Sequence, residues 1–362
     1  MHRRDALKAG AAIGGLGITG CLDQVETESV WRNTPLVENR PKAVYLPASR
    51  EQMATYGRAR TGRYAVALRY SFPHRFWTVS GTSTSKVEVG QSDSLHLMAT
   101  VWDAETGVVL PVTPRLELRH DGSVITSRTL WTMLSQRMGF HYGDNVELDG
   151  EGSYVADIRL SPIDATPVGE LAGSFEEAAS VSIEFEYSPD DIYDLEYTQI
   201  DEERRGTRGA LPLMTHGGHE SSGDAASPVQ TVPAAEDLPG ELIGVGTSGD
   251  AAFAAALVPS GSRFAEQEEF LLVSPRTPYN SIPVPQMGLS ATVTRNGETV
   301  FDGPLSAAVD GTVGLHYGAA VDELQRGDRV TVSVDTPPQA SRHDGYETAF
   351  FGMSSMEFTV GE

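Results

Sequence analysis

The sequence predicts an all-β chain, two immunoglobulin-like β-sandwich domains in tandem that arose by internal duplication. Three observations carry this expectation. The tripeptide His-Tyr-Gly occurs at 141–143 and again at 316–318, and the same shift of 175 positions pairs Gly122 with Gly297, Leu130 with Leu305 and Gly139 with Gly314. It also pairs Gly152 with Gly327, Pro162 with Pro337 and Phe175 with Phe350, a register too long for chance,. From Arg63 onward the chain reads as short β-branched and aromatic runs separated by turn residues, without long amphipathic helices,. Two repeats are too few for a solenoid, so each copy should enclose its own core.

Residues 1–21 read as an export signal. Arg3-Arg4 is a twin-arginine pair, and the apolar stretch Ala9 to Gly20 is too short to span a bilayer,. Ile18-Thr19-Gly20-Cys21 resembles a lipobox, and Cys21 is the only cysteine, so no intrachain disulfide forms,. Lipidation of Cys21 would hold the mature chain on the outer face of the cell membrane. The dinucleotide-like run Gly15 to Gly20 follows no strand and opens no βαβ unit, so it is rejected,.

Residues 22–62, polar and carrying Pro35, Pro41 and Pro47, predict an extended tether,. The first domain is placed at 63–200, with strands at Tyr64 to Tyr70, Ser94 to Trp102, Arg115 to Arg119, Ser153 to Leu160 and Ser180 to Tyr187,. Relative to the second copy it carries an insertion near Trp77 to Ser92, read as a longer loop or hairpin. Residues 201–240, with Gly217-Gly218, Pro228 and Pro233, predict a linker,. The second domain is placed at 241–362, with strands at Phe253 to Leu257, Phe270 to Ser274, Thr292 to Arg295, Arg329 to Val334 and Met356 to Val360.

A net charge of −23 excludes nucleic acid as a partner,. Lysine appears only at Lys8, Lys42 and Lys86. An acidic, lysine-poor chain with a twin-arginine leader resembles exported proteins of salt-loving archaea, and acidic runs such as Glu184 to Glu203 then read as a solvated face.

The chemistry rests on histidine and methionine. His96 and Met98 alternate on one strand and share a face. Met133, Met138 and His141 lie close in sequence, and His316 repeats His141 in the second copy. Thioether and imidazole together suit soft or borderline metals, copper above all. The competing reading makes Met98 core packing and has the rings of His141 and His316 bond backbone carbonyls to fix β-turns. His343 follows His316 by the spacing at which the first copy has Val168. By the same shift, His96 and Met98 correspond to Leu271 and Val273. Each copy thus holds part of a ligand set: either each site has decayed separately, or the two domains pack as a pseudo-dimer and complete one site. His74 reads as a loop residue, and His216 and His219 form a weak cluster in the linker. The chain has no G-x-S-x-G, P-loop, H-E-x-x-H or C-x-x-C,.

The run Met138-Gly139-Phe140-His141-Tyr142-Gly143-Asp144-Asn145-Val146, with Gly152-Ser153-Tyr154, resembles the periplasmic iron-transport lipoproteins, the Fe²⁺-transport family. The resemblance covers roughly residues 94–165 and, more faintly, 290–350. It implies an immunoglobulin-like fold, dimer-like packing, copper binding beside a second divalent ion, and work alongside an iron permease. His96 falls on the family's early strand, with Met98 where a carboxylate is expected, which leaves the second ion without its ligand. His141 matches the central histidine, Met133 or Met138 the methionine, and His343 the downstream histidine. The expected function is a lipid-anchored, extracytoplasmic protein holding a copper or iron ion in metal acquisition, without turnover. A structural surface lipoprotein and a copper-dependent iron oxidase are the alternatives.

Overall fold

The structure, a computed structural model, describes residues 34–214, 228–229 and 231–361; the leader with Arg3, Arg4 and Cys21, and His216 and His219, lie outside these. The chain is all-β, as its sequence predicts. The first copy contains β1 (Ser49–Glu51), β2 (Ala54–Thr61), β3 (Tyr64–Ser71), β4 (Phe76–Ser80), β5 (Ser83–Val87), β6 (Leu95–Asp103) and β7 (Pro114–His120). It continues through β8 (Ser123–Thr129), β9 (Trp131–Ser135), β10 (Gly139–Val146), β11 (Gly152–Leu160), β12 (Thr166–Val168), β13 (Ala179–Tyr187) and β14 (Tyr197–Gln199). The second copy has β15 (Glu241–Ser248), β16 (Ala251–Val258), β17 (Glu269–Arg276), β18 (Gly288–Arg295) and β19 (Glu298–Asp310). β20 (Gly314–Val321), β21 (Arg329–Thr336), β22 (Ser341–Arg342) and β23 (Met356–Thr359) complete it.

Each copy is a two-sheet sandwich. In the first, β2-β3-β6-β10-β9 faces β13-β11-β7-β8; in the second, β15-β16-β17-β20-β19 runs on into β18-β21-β23. β19 makes that passage by pairing with β18 through its first half and with β20 through its last residues. In the first copy Leu130, buried like its counterpart Leu305, separates the same path into β8 and β9. The same internal tie recurs in both copies. The Tyr142 hydroxyl accepts from the Val112 amide at 2.7 Å, and Tyr317 from Met287 at 3.0 Å.

Alternation sets which face is core. Along β13, Val181, Ile183, Phe185 and Tyr187 are buried, while Ser182, Glu184 and Glu186 are exposed,. β6 differs, for all nine of its residues are buried. Leu95, Leu97, Ala99 and Val101 enter the sandwich core. His96 and Met98 point to the opposite face of the sheet, so that face must be covered by something else.

The cover comes partly from the other copy. β22 lies between β9 and β4, pairing Ser341 with Met133 and Arg342 with Leu134. Reciprocally, β12 of the first copy pairs Thr166 with Ala308 and Pro167 with Val309 on β19. A shift of 175 converts one set of partners into the other, so the copies exchange equivalent strands in a pseudo-symmetric way. Arg342, fully buried in β22, donates to the Pro338 carbonyl at 2.9 Å and lies 4.2 Å over the Phe351 ring. Burial pulls its guanidinium pKa down to about 9.

Four expectations need correction. The tether 22–62 is, in its described part, folded: residues 43–48 are buried and β2 is the edge strand on β3. Tyr56 stacks 4.1 Å from Tyr70 and 4.3 Å from Phe185. An edge strand with one solvated side carries polar residues and arginine, which hid it. Second, part of the linker 201–240 packs against that segment. Leu46 and Thr207 bond backbone to backbone at 2.9 Å, and Val232 and Leu238 are buried. Third, both His-Tyr-Gly copies lie in strands, β10 and β20, not in turns.

The fourth concerns register. Tyr142 pairs with Ala99, and Tyr317 with Val273. His96 and Met98 therefore match Phe270 and Leu272, not Leu271 and Val273. The copies differ by one residue in the chain between these strands, and a slip of one moves every side chain to the other face. The insertion near Trp77 to Ser92 is the β4–β5 hairpin, and β4 is the strand that receives β22.

Candidate metal centre

Three histidines from three parts of the chain converge on the outer face of the first copy's large sheet. His96 stands on β6, His74 just before the β4–β5 hairpin, and His343 directly after β22. One ring nitrogen from each lies within 4.8 Å of the others. Imidazole nitrogens about 2.0–2.1 Å from a shared ion lie roughly 3.3–3.6 Å from one another when three or four surround it, so side-chain shifts that close the triangle by roughly 1–1.5 Å would seat a metal. His141, on β10, is the fourth: its ring centroid is 5.3 Å from that of His343. His74 and His96 approach to 4.1 Å.

The protons point away from the centre. His141 Nδ1 donates to the Gly139 carbonyl at 3.0 Å. His74 Nδ1 faces the Phe72 carbonyl at 2.9 Å and Glu51 Oε2 at 3.1 Å, both acceptors. His96 Nδ1 faces Asn145 Oδ1 at 2.9 Å. The Nε2 atoms of His74, His96, His141 and His343 are buried and find no hydrogen-bond partner among the described residues. Buried polar atoms are rarely left so, and four in one place fit a cation acceptor. Burial, reinforced by neighbouring imidazoles, holds His96 and His343 well below the usual histidine range, and burial lowers His141 to about 4. These three rings are neutral near pH 7, the form that ligates metal without first losing a proton.

A cavity of about 200 Å³ opens beside the cluster, and His74, His141 and His343 line it with Met53 and Met98. Met133 sits opposite His141 in the β9–β10 ladder. Its Sδ and His96 Nε2 both crowd the Cα of Gly143, where an added Cβ would lie 3.3 Å and 2.9 Å from them. Only glycine leaves that room. At the rim, Arg75 grips Asp344 through two bonds of 3.1 Å and 2.6 Å and ties the hairpin insertion to the segment carrying His343.

Of the residues singled out from sequence, the structure thus brings His96, Met98, Met133, His141 and His343 to one place. Met138, buried in the turn before β10, does not line the cavity. His316 lies in the second copy against Phe264 and Phe270, with ring centroids 5.5 Å and 6.3 Å away. His74, read as a loop residue, belongs to the cluster. Its signal was its place at the start of the insertion that only the first copy has. Met53 lay in the supposed tether and gave no sequence signal.

A family model described as a domain of unknown function (DUF7350) matches residues 236–359. No curated protein matches the chain. Among solved structures, the chain is similar to "as isolated" FetP of uropathogenic E. coli strain F11. That match has 19% identity and a TM-score of 0.31, and covers 38% of this chain and 97% of that one. It is also similar to a copper-bound single-substitution variant of the same protein, at 20% identity and a TM-score of 0.30 over the same shares.

Proposed function

We propose that this protein binds one transition-metal ion, copper before iron, between its two halves and serves in metal acquisition outside the cell membrane. The observation that carries the reading is the convergence of His74, His96, His141 and His343, whose four Nε2 atoms have no hydrogen-bond partner among the described residues. Imidazole suits copper, iron and zinc alike, and thioethers such as Met98 and Met133 shift the preference toward copper, above all Cu(I). The harder donors nearby are already engaged, Glu51 by His74 and Asp344 by Arg75.

His343 belongs to the second copy, and it reaches the first only because β22 inserts beside β9. Metal binding would therefore tie the halves together. The cavity beside the cluster offers a route for exchange with a membrane partner, an iron permease on the family resemblance. The leader and Cys21 favour a lipid-anchored, extracytoplasmic location. The site binds and presents its ion without turnover.

Purified protein should take up one copper ion per chain, and His96→Ala with His343→Ala should abolish uptake. Wild-type protein that takes up neither copper nor iron above background would overturn the reading in favour of a structural lipoprotein. Oxidation of added Fe²⁺ by the copper-loaded protein would replace presentation by an oxidase. Retention of Cys21→Ala in the membrane fraction would refute the anchor.

A further inference from the structure

Asn145 lies on β10 directly across the ladder from His96. Its side chain makes three bonds. Oδ1 accepts from the backbone N–H of His74 at 3.3 Å, Nδ2 donates to the His74 carbonyl at 3.0 Å, and Oδ1 faces His96 Nδ1 at 2.9 Å. The two backbone partners fix which end of the amide is which, since an N–H can only donate and a carbonyl can only accept. Oδ1 must then face His96. An amide oxygen cannot donate, so His96 Nδ1 must carry the proton and Nε2 the lone pair.

We infer that Asn145 is the positioning residue of the site: it sets the His96 tautomer and clamps the His74 segment, so that one amide prepares two of the four imidazoles. The inference rests on the metal-binding reading above.

A purely architectural role fits poorly. The second copy builds the same pair of strands with Ala320 opposite Phe270. The ladder closes there without an amide, and neither of the two histidines has a counterpart to prepare. Asn145 thus accompanies the imidazoles and not the strand pairing. In metal sites, losing a residue that orients a ligating histidine through its other ring nitrogen typically costs about ten- to hundredfold in affinity.

The test is Cu(II) binding by the full chain, with Asn145→Ala and Asn145→Asp beside wild type. Affinity is measured by competition with a chromogenic chelator, and the ligand field by electron paramagnetic resonance. Asn145→Ala should fold with a far-UV spectrum like wild type, lose about ten- to hundredfold in affinity, and show an altered copper hyperfine pattern. Asn145→Asp keeps an acceptor for His96 Nδ1 but loses the donor to the His74 carbonyl, so it should recover part of the affinity, with the spectrum between those of Asn145→Ala and wild type. Wild-type affinity and an unchanged spectrum in Asn145→Ala would overturn the inference while leaving the metal site standing. Wild-type protein that binds no copper would instead remove the reading beneath it. Should Asn145→Ala fail to fold, Asn145→Asp decides: a folded variant with wild-type affinity and an unchanged spectrum, despite the lost bond to the His74 carbonyl, overturns the role.

Discussion

The two copies place the same backbone under opposite chemistry. In the first, the His96 ring packs over Gly143 and meets His74 and His343, and His343 in turn meets His141. In the second, the Phe270 ring packs over Gly318 in the same way, with Phe264 stacked 5.5 Å from it. Leu272 replaces Met98, Ala308 replaces Met133, and Val168 ends β12 where His343 follows β22. Leu272, Phe270 and Val313 there form a small apolar cluster of their own. The sandwich evidently closes over phenylalanine as readily as over histidine. Packing therefore does not account for the donors of the first copy, where an apolar set would fill the space and leave no buried nitrogen unpaired.

His316 sharpens the contrast. It makes the same Nδ1 bond as His141, to the Gly314 carbonyl at 2.9 Å, and its Nε2 likewise finds no partner among the described residues. Burial lowers both rings to about 4. An unsatisfied Nε2 is thus not by itself a site. What distinguishes the first copy is that three further imidazoles arrive at the same place.

The comparison breaks most readily if the first pocket is rewritten as the second. His96→Phe with His343→Val copies the residues at the equivalent positions. The doubly substituted protein should keep its β-sheet circular dichroism. It should bind copper more than about a hundredfold more weakly, beyond the usual cost of losing a residue that merely orients a ligand. His316→Ala should leave both the affinity and the stoichiometry of one ion per chain unchanged, as read by metal analysis and calorimetric titration. A second ion lost with His316 would mean that the phenylalanine pocket also binds.

Sequence carried the fold class because the duplication and the alternation along β13 are local, periodic signals. It also carried His96, His141 and His343, since the asymmetry between Val168 and His343 is visible once the copies are aligned. It missed His74, whose meaning depends on a hairpin that pairs with a strand some 260 residues later. Asn145 was no more than part of a motif, because its three bonds cross strands and a loop. It misassigned Phe270 and Leu272 by one residue, the error that a loop-length difference imposes on a period-two pattern. Edge strand β2 was lost to its polar outer side.

Acid titration distinguishes the copies by a smaller margin. His316 titrates near 4 in the folded chain and at the ordinary histidine value when unfolded,. Between those values the unfolded chain binds more protons. This histidine's share of stability is therefore whole above about pH 6.5 and falls as pH drops toward 4, by up to roughly 3 kcal/mol. His316→Phe, which extends the aromatic cluster, should remove that slope. Its denaturant midpoint should fall less than that of wild type between pH 6.5 and 4. An equal fall in both would show that His316 is not held neutral by its pocket.

The two glycines test whether the pockets differ in what their rings are for. An added Cβ at Gly318 would overlap the Phe270 ring and lie 2.6 Å from the Leu271 carbonyl oxygen. A packed ring and a backbone atom cannot both yield cheaply, so Gly318→Ala should cost about 1–3 kcal/mol of stability and leave copper affinity alone. At Gly143 the added carbon meets His96 Nε2 at 2.9 Å, the Leu97 carbonyl oxygen at 3.1 Å and Met133 Sδ at 3.3 Å. These contacts are looser, and the thioether is adaptable, so Gly143→Ala should destabilise the metal-free protein less than Gly318→Ala does. Its cost should instead fall on binding, because the atom displaced is the donor nitrogen itself. Thermal melts with and without copper separate the effects: copper should raise the melting temperature of Gly318→Ala by as much as it raises wild type, and that of Gly143→Ala by much less. Equal copper-induced shifts in the two variants would mean that His96 Nε2 is not among the ligands.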